Sequence, residues 1–176
     1  VVKTWGSSPR IPGSKMGISE SGKITGSVSG GCVEGAVVEE ALGVIATGNT
    51  RLVHYGIADE TAWEVGLACG GKLDVLIIPA KKDELVEIIN KVKSGEGVFW
   101  HHSFKDIESA SQKIYFGKNQ EFDGEPDFVD EILPPLKLII VGAGHISQGL
   151  TSLAKSVGFE VIVMDPRKTF STKDRF

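Results

Sequence analysis

The stretch from Lys137 to Met164 constrains this chain more than any other. An apolar run of strand type, Lys137–Val141, passes directly into Gly142-Ala143-Gly144 and then into His145–Val157, which has helical periodicity; Glu160–Met164 follows as a second strand. A strand, a glycine turn, a helix and a second strand within 30 residues make one βαβ unit with a parallel pair. In that context a G-x-G fingerprint carries weight. Gly142 permits the tight turn, and Gly144 lets the backbone approach a pyrophosphate seated on the positive helix N-terminus. The third small position is Ser147, a departure from glycine. Asp165 ends the second strand, where a carboxylate is expected to bind a ribose diol, and His145 is a further contact candidate in the first helical turn. Arg167 nearby leaves NAD and NADP both open. A βαβ unit that keeps this geometry and binds nothing is the alternative.

The residues before this unit have a different texture. Val1–Trp5 reads as a strand entering the loop Gly6–Gly13. Lys15–Ser19 and Lys23–Val28 read as a hairpin turning at Ser21-Gly22. Val33–Thr47 has amphipathic helical spacing and stops at Gly48. Strands are expected at Arg51–Tyr55, Leu73–Pro79, Gly97–His101 and Gln112–Phe116, with a helix over Lys82–Lys93. Ala58–Gly66 and Gln120–Asp130 read as acidic connections, and Pro134-Pro135 as a hinge. The expectation is an α/β chain: a mixed α+β domain over residues 1–133, then a partial Rossmann domain over residues 134–176. The chain opens at Val1 without a methionine and stops just after the second βαβ strand, so a fragment of a longer protein is expected.

Two cysteines, Cys32 and Cys69, are too few for a disulfide scaffold. Each adjoins paired glycines. Gly30-Gly31-Cys32 immediately precedes a helix, where two glycines can shape an anion-binding nest of amides and the helix dipole favours a thiolate. Cys32 is therefore a candidate nucleophile or soft ligand. Glu34 either complements the dipole or shuttles protons. Cys69-Gly70-Gly71 precedes a strand, so its activation argument is weaker. No C-x-x-C pattern is present, and His54, His101 and His102 have no metal-like spacing with the cysteines; they read as structural or surface residues.

These segments together resemble the XdhC/CoxI accessory factors of xanthine dehydrogenase and related molybdenum hydroxylases. The resemblance rests on Thr4-Trp5-Gly6-Ser7-Ser8-Pro9-Arg10, Gly13-Ser14-Lys15-Met16, Gly26–Glu34, Cys69-Gly70-Gly71, and Pro134-Pro135 leading into Gly142–Ile146. It implies an N-terminal XdhC/CoxI domain, a C-terminal Rossmann domain that continues beyond Phe176, and a chaperone role rather than hydroxylase activity. Such a factor holds molybdenum cofactor, supports exchange of an oxo for a sulfido ligand, and delivers the product to an apo-xanthine dehydrogenase or related hydroxylase. Carried onto this sequence, Cys32 and Cys69 become the candidate cofactor or sulfur contacts, with Gly30, Gly31, Gly70 and Gly71 shaping the loops; Glu34 is a catalytic candidate from its place beside Cys32 alone. Gly142, Gly144 and Asp165 become the nucleotide contacts. A cysteine desulfurase and a second copy of the chain are the further partners expected.

The competing reading is an NAD(P)-dependent oxidoreductase using the Rossmann cradle, for which the sequence places no acid or base beyond His145. A nucleotide-sensing docking module is the third. With a net charge of −4 and no basic stripe, nucleic acid is not an expected partner. Apolar runs are far shorter than a membrane span, and a cytoplasmic location is expected.

Overall fold

The computed structural model describes residues 1–56, 70–117 and 124–176. They divide into two units, Val1–Ile132 and Leu133–Phe176. In the first, β1 (Lys3–Trp5) leads through a loop to the hairpin β2 (Met16–Ile18) and β3 (Ile24–Gly26). Helix α1 (Glu34–Thr47), β4 (Arg51–Tyr55), β5 (Lys72–Ile77), α2 (Lys82–Lys93), β6 (Val98–Ser103), β7 (Ser111–Phe116) and β8 (Phe128–Ile132) follow. Strand β5 is central in an antiparallel sheet ordered β1-β5-β4, as its apolar run predicts, and β6 is central in a second sheet ordered β7-β6-β8. Both cores follow from periodicity. Val37, Ala41 and Val44 form the buried stripe of α1, and they join Val28, Val33, Leu73 and Val75 in one cluster. Each large apolar side chain buried there contributes roughly 1.5–3 kcal/mol. Ile88 of α2 packs with Val98 and Trp100 of β6 in a second cluster.

Strand β8 corrects the sequence reading, which placed Gln120–Asp130 in an acidic connection. Phe128, Asp130 and Ile132 share one face of β8 and stand opposite His102, Trp100 and Val98 of β6. Acidic residues break the apolar alternation, so only the non-local ladder reveals the strand.

The hairpin turn is as expected: Gly22 has φ +73 and its N–H donates to the Ser19 carbonyl at 2.9 Å. Gly26 is the more demanding position. Its φ is +80, and a Cβ there would lie 2.3 Å from the Lys15 carbonyl oxygen. Gly26→Ala is expected to destabilise this unit by about 2–4 kcal/mol, because left-handed strain adds to a backbone clash. Gly22→Ala, which meets nothing within 4 Å, should cost only about 1 kcal/mol. Equal shifts in their urea midpoints would show that the clash is not felt.

The second unit is the βαβ. Strand β9 (Lys137–Val141) pairs in parallel with β10 (Glu160–Met164), joined by α3 (His145–Ser156). Ile140, Ala143, Thr151 and Ala154 are buried between helix and sheet. Ile139, Val141, Ile162 and Met164 occupy the other face and are exposed. Among the described residues, no helix is long and apolar enough to cross a membrane.

Candidate functional site

The loop Ser27–Val33 is organised around one carboxylate. Glu34, the first residue of α1, turns its side chain back into the loop, and Oε1 accepts hydrogen bonds from Ser27 Oγ (2.7 Å) and the amides of Val28 (3.1 Å), Ser29 (2.9 Å) and Gly30 (3.1 Å). Oε2 accepts from the Gly31 amide at 2.9 Å and from the Ser29 hydroxyl. Ser29 Oγ in turn accepts from the amides of Cys32 (3.0 Å) and Val33 (2.9 Å), the donors that precede α1. These contacts satisfy consecutive amides at a helix entrance, which otherwise lack acceptors. The chain can wrap so tightly only because Gly30 and Gly31 take φ of +76 and +115.

This geometry bears on two expectations. The amide nest at Gly30-Gly31 exists, but Glu34 fills it, so it is not free for an external phosphate. Glu34, for its part, has both carboxylate oxygens engaged by the loop. Burial alone would raise its carboxyl, yet the hydroxyls of Ser29 and Ser27 and the surrounding amides outweigh that and hold it well below 4.5. The carboxylate shapes the loop. Sequence reasoning missed both serines, although a serine before a helix and a glutamate in its first turn is the composition of a capping box, here at longer spacing.

The loop leaves Cys32 with a free, exposed thiol beside Gly31, where a Cβ would meet nothing within 4 Å. Two further segments approach this end of the unit. A Cβ on Gly30 would lie 3.9 Å from Pro9 Cβ, and one on Gly71 would lie 2.8 Å from the Ser8 amide nitrogen. The loop Gly6–Arg10 thus packs on Gly71 and reaches Gly30, so glycine is required at 71 for close backbone approach. Gly70, with φ +75, begins the same turn. Cys69, the other sulfur the sequence singles out, lies outside the described residues. His54 is elsewhere, paired through Nδ1 with Asp74 Oδ1 at 2.6 Å.

In the second unit, Gly142 has φ +105 and its N–H donates to the Met164 carbonyl at 2.7 Å, closing the turn between the parallel strands. Ser147 Oγ donates to the Gly142 carbonyl at 2.5 Å, so the small third residue of the fingerprint packs against the first glycine. Asp165 differs from expectation. Its buried carboxylate accepts from the Ala143 amide at 2.8 Å and from Arg167 through the backbone N–H (2.9 Å), Nε (2.9 Å) and Nη2 (2.8 Å). The Arg167 side chain, then the Ala143 and Arg167 amides, hold it well below the carboxylate range. Both oxygens are engaged within the chain, and Asp165 pins the glycine turn to the end of β10. The Arg167 guanidinium, already forked on Asp165, also lies 3.8 Å over the Phe170 ring. Gly144 is the N-cap of α3, and both it and the exposed His145 face open space.

Comparison with known proteins follows this division. Residues 1–56 match the XdhC and CoxI family, and residues 138–176 match the XdhC Rossmann domain. The chain is 30% identical to a probable xanthine dehydrogenase subunit of Bacillus subtilis (strain 168), over all of this chain and 61% of that one. It is 26% identical to the molybdenum cofactor insertion chaperone PaoD of Escherichia coli (strain K12), over 94% of this chain and 51% of that one. A crystal structure of a xanthine dehydrogenase from Bacillus halodurans superposes over the whole chain and 60% of its own length, with a TM-score of 0.83 at 25% identity. The chain thus spans between half and three-fifths of the length of these relatives.

Proposed function

We propose, for a chain that belongs to the XdhC and CoxI family, that it holds molybdenum cofactor as cargo at the Cys32 loop and passes it to an apo-xanthine dehydrogenase or a related molybdenum hydroxylase. The observation that carries this reading is the exposed Cys32 thiol on a loop fixed by Glu34. A thiolate is a soft donor suited to molybdenum or to its sulfur ligand. A carrier has to release what it holds, and a single sulfur at an open rim permits that where an enclosing ligand set would not. The name of one relative, a molybdenum cofactor insertion chaperone, supports the cargo, and that of another, a probable xanthine dehydrogenase subunit, supports the partner. Supporting exchange of oxo for sulfido on the cargo, with sulfur supplied by a cysteine desulfurase, fits a thiol open to a second protein. In the second unit, Gly142 and Gly144 leave room for a nucleotide at the start of α3, and two copies of the chain would pair through exposed strand surface. The oxidoreductase alternative is weakened, because Asp165 is occupied and His145 is the acid or base left at that turn among the described residues.

The test is to incubate purified chain with molybdenum cofactor, separate free cofactor by gel filtration, and measure retained molybdenum and pterin. Cys32→Ala is expected to retain at least tenfold less than the wild type. Equal retention by a folded Cys32→Ala protein would refute the assignment of the site.

A further inference from the structure

The loop that displays Cys32 directs its backbone donors inward. Six consecutive amides, from Val28 to Val33, each donate to the Glu34 carboxylate or to a serine hydroxyl of the same loop. The last two, those of Cys32 and Val33, converge on one atom, Ser29 Oγ, at 3.0 and 2.9 Å. The Ser29 hydroxyl in turn donates to Glu34 Oε2, and the residue is 1% exposed.

The Cys32 and Val33 amides are the donors nearest to the Cys32 sulfur along the chain. A cysteine at a helix entrance ordinarily draws its character from free amides there. Here a buried hydroxyl has taken them, and the Glu34 amide adds to the donors on its own carboxylate. The thiol itself is exposed. A sulfur held by amide donors is the weaker nucleophile, because stabilising its electron pair makes that pair less available for a new bond.

We propose that Ser29 is a positioning residue that holds the Cys32 and Val33 amides off the Cys32 sulfur and so keeps that sulfur a strong donor. Its link to cargo rests on the reading of Cys32 as the contact residue, whereas its effect on the sulfur does not. Ser29 touches no ligand in this role; it acts through the backbone on either side of the thiol.

The test uses the full chain and iodoacetamide over a range of pH, with the Cys32 peptide followed by mass spectrometry so that Cys69 is read separately. In Ser29→Ala the two amides are free to turn onto the sulfur. The midpoint of the pH–rate profile should fall by about one pH unit, with the rate below it about threefold higher and the plateau above it about threefold lower. Ser29→Thr keeps the hydroxyl and should restore the wild-type profile. Ser27→Ala removes a hydroxyl bonded to Glu34 but no partner of the Cys32 or Val33 amide, so its midpoint should stay in place. Glu34, with Arg10 and Lys72 on the two segments that approach this end, is present in every variant, so the comparison isolates the amides. In wild-type protein, hydrogen exchange at the Cys32 and Val33 amides should be about tenfold or more slower than in an unfolded chain, a reading that needs no substitution. An unmoved midpoint in Ser29→Ala, an equal shift in Ser27→Ala, a profile that Ser29→Thr fails to restore, or freely exchanging Cys32 and Val33 amides would overturn the proposal. A uniform rise in rate at every pH would mark simple loosening of the loop and overturn it too. Equal cofactor retention by Cys32→Ala would instead refute the cargo reading and leave these results standing.

Discussion

Glu34→Gln is expected to lower the unfolding free energy of the first unit by about 2–4 kcal/mol at pH 7 and to cut retention of molybdenum cofactor at least tenfold. The carboxylate accepts six hydrogen bonds, four of them from the amides of Val28, Ser29, Gly30 and Gly31. An amide side chain presents one acceptor oxygen and one NH₂ group, so it must turn a donor toward donors. Either the Gly31 amide and Ser29 hydroxyl, or the four donors on Oε1, then lose their acceptor. Glu34 is half-buried, so water replaces part of what is lost, which keeps the cost below the sum of the individual bonds. The helix survives because its stability comes from Val37, Ala41 and Val44; the loop that displays Cys32 does not keep its shape. A pH signature accompanies the substitution. The folded-state value of Glu34 lies below the unfolded value of 4.5, so its contribution is complete above pH 4.5 and is lost as the pH falls further. Urea midpoints between pH 7 and pH 3 should show this loss in the wild type and not in Glu34→Gln. Identical pH dependence in the two proteins would mean that the carboxylate is not what holds the loop.

His102→Phe is expected to remove a second, separate acid sensitivity. Burial pushes His102 down from 6.5 to about 4; Asp130 opposes this, while His101 and Lys15 reinforce it. The unfolded chain therefore takes up a proton near pH 6.5 that the folded one refuses until about pH 4. Stability is full above pH 6.5 and declines across that interval, by at most about 3 kcal/mol from this group. Phenylalanine keeps a ring against Phe128 and cannot take up the proton. The variant should therefore show a shallower decline between pH 6.5 and 4.5 than the wild type. His101, also lowered by burial, remains in both proteins, so the variant keeps part of the decline. Parallel curves would show that His102 is not buried in its neutral form.

The local elements were legible because each obeys a short-range rule. Helix α1 shows its stripe at Val37, Ala41 and Val44 and ends where Gly48 takes φ +74, with its N–H on the Val44 carbonyl. The β2–β3 hairpin is announced by Ser21-Gly22, and the βαβ unit by apolar strands around a glycine turn. Strand β8 was not legible, because Asp130 and Glu131 interrupt its apolar pattern and its partner β6 lies more than twenty residues earlier. The candidate site divides in the same way. Cys32 stood out beside its paired glycines, and it is exposed. The direction in which Glu34 and Asp165 turn could not be read, since each is a carboxylate next to a glycine turn whether it faces a ligand or its own backbone.

By itself, then, the sequence determined the order of elements, the glycines where only positive φ or close approach will serve, and the family likeness that those residues carry. These depend on neighbours a few positions apart, where periodicity and backbone sterics act directly. Tertiary structure alone decided what each polar group faces. It turned the Gly30-Gly31 amides onto Glu34 and the Asp165 carboxylate onto Ala143 and Arg167, and it set Trp100 and His102 opposite Asp130 and Phe128 across β6 and β8. Hydrogen bonds and strand pairings are set by where separate segments meet in space, which no pattern along the chain records.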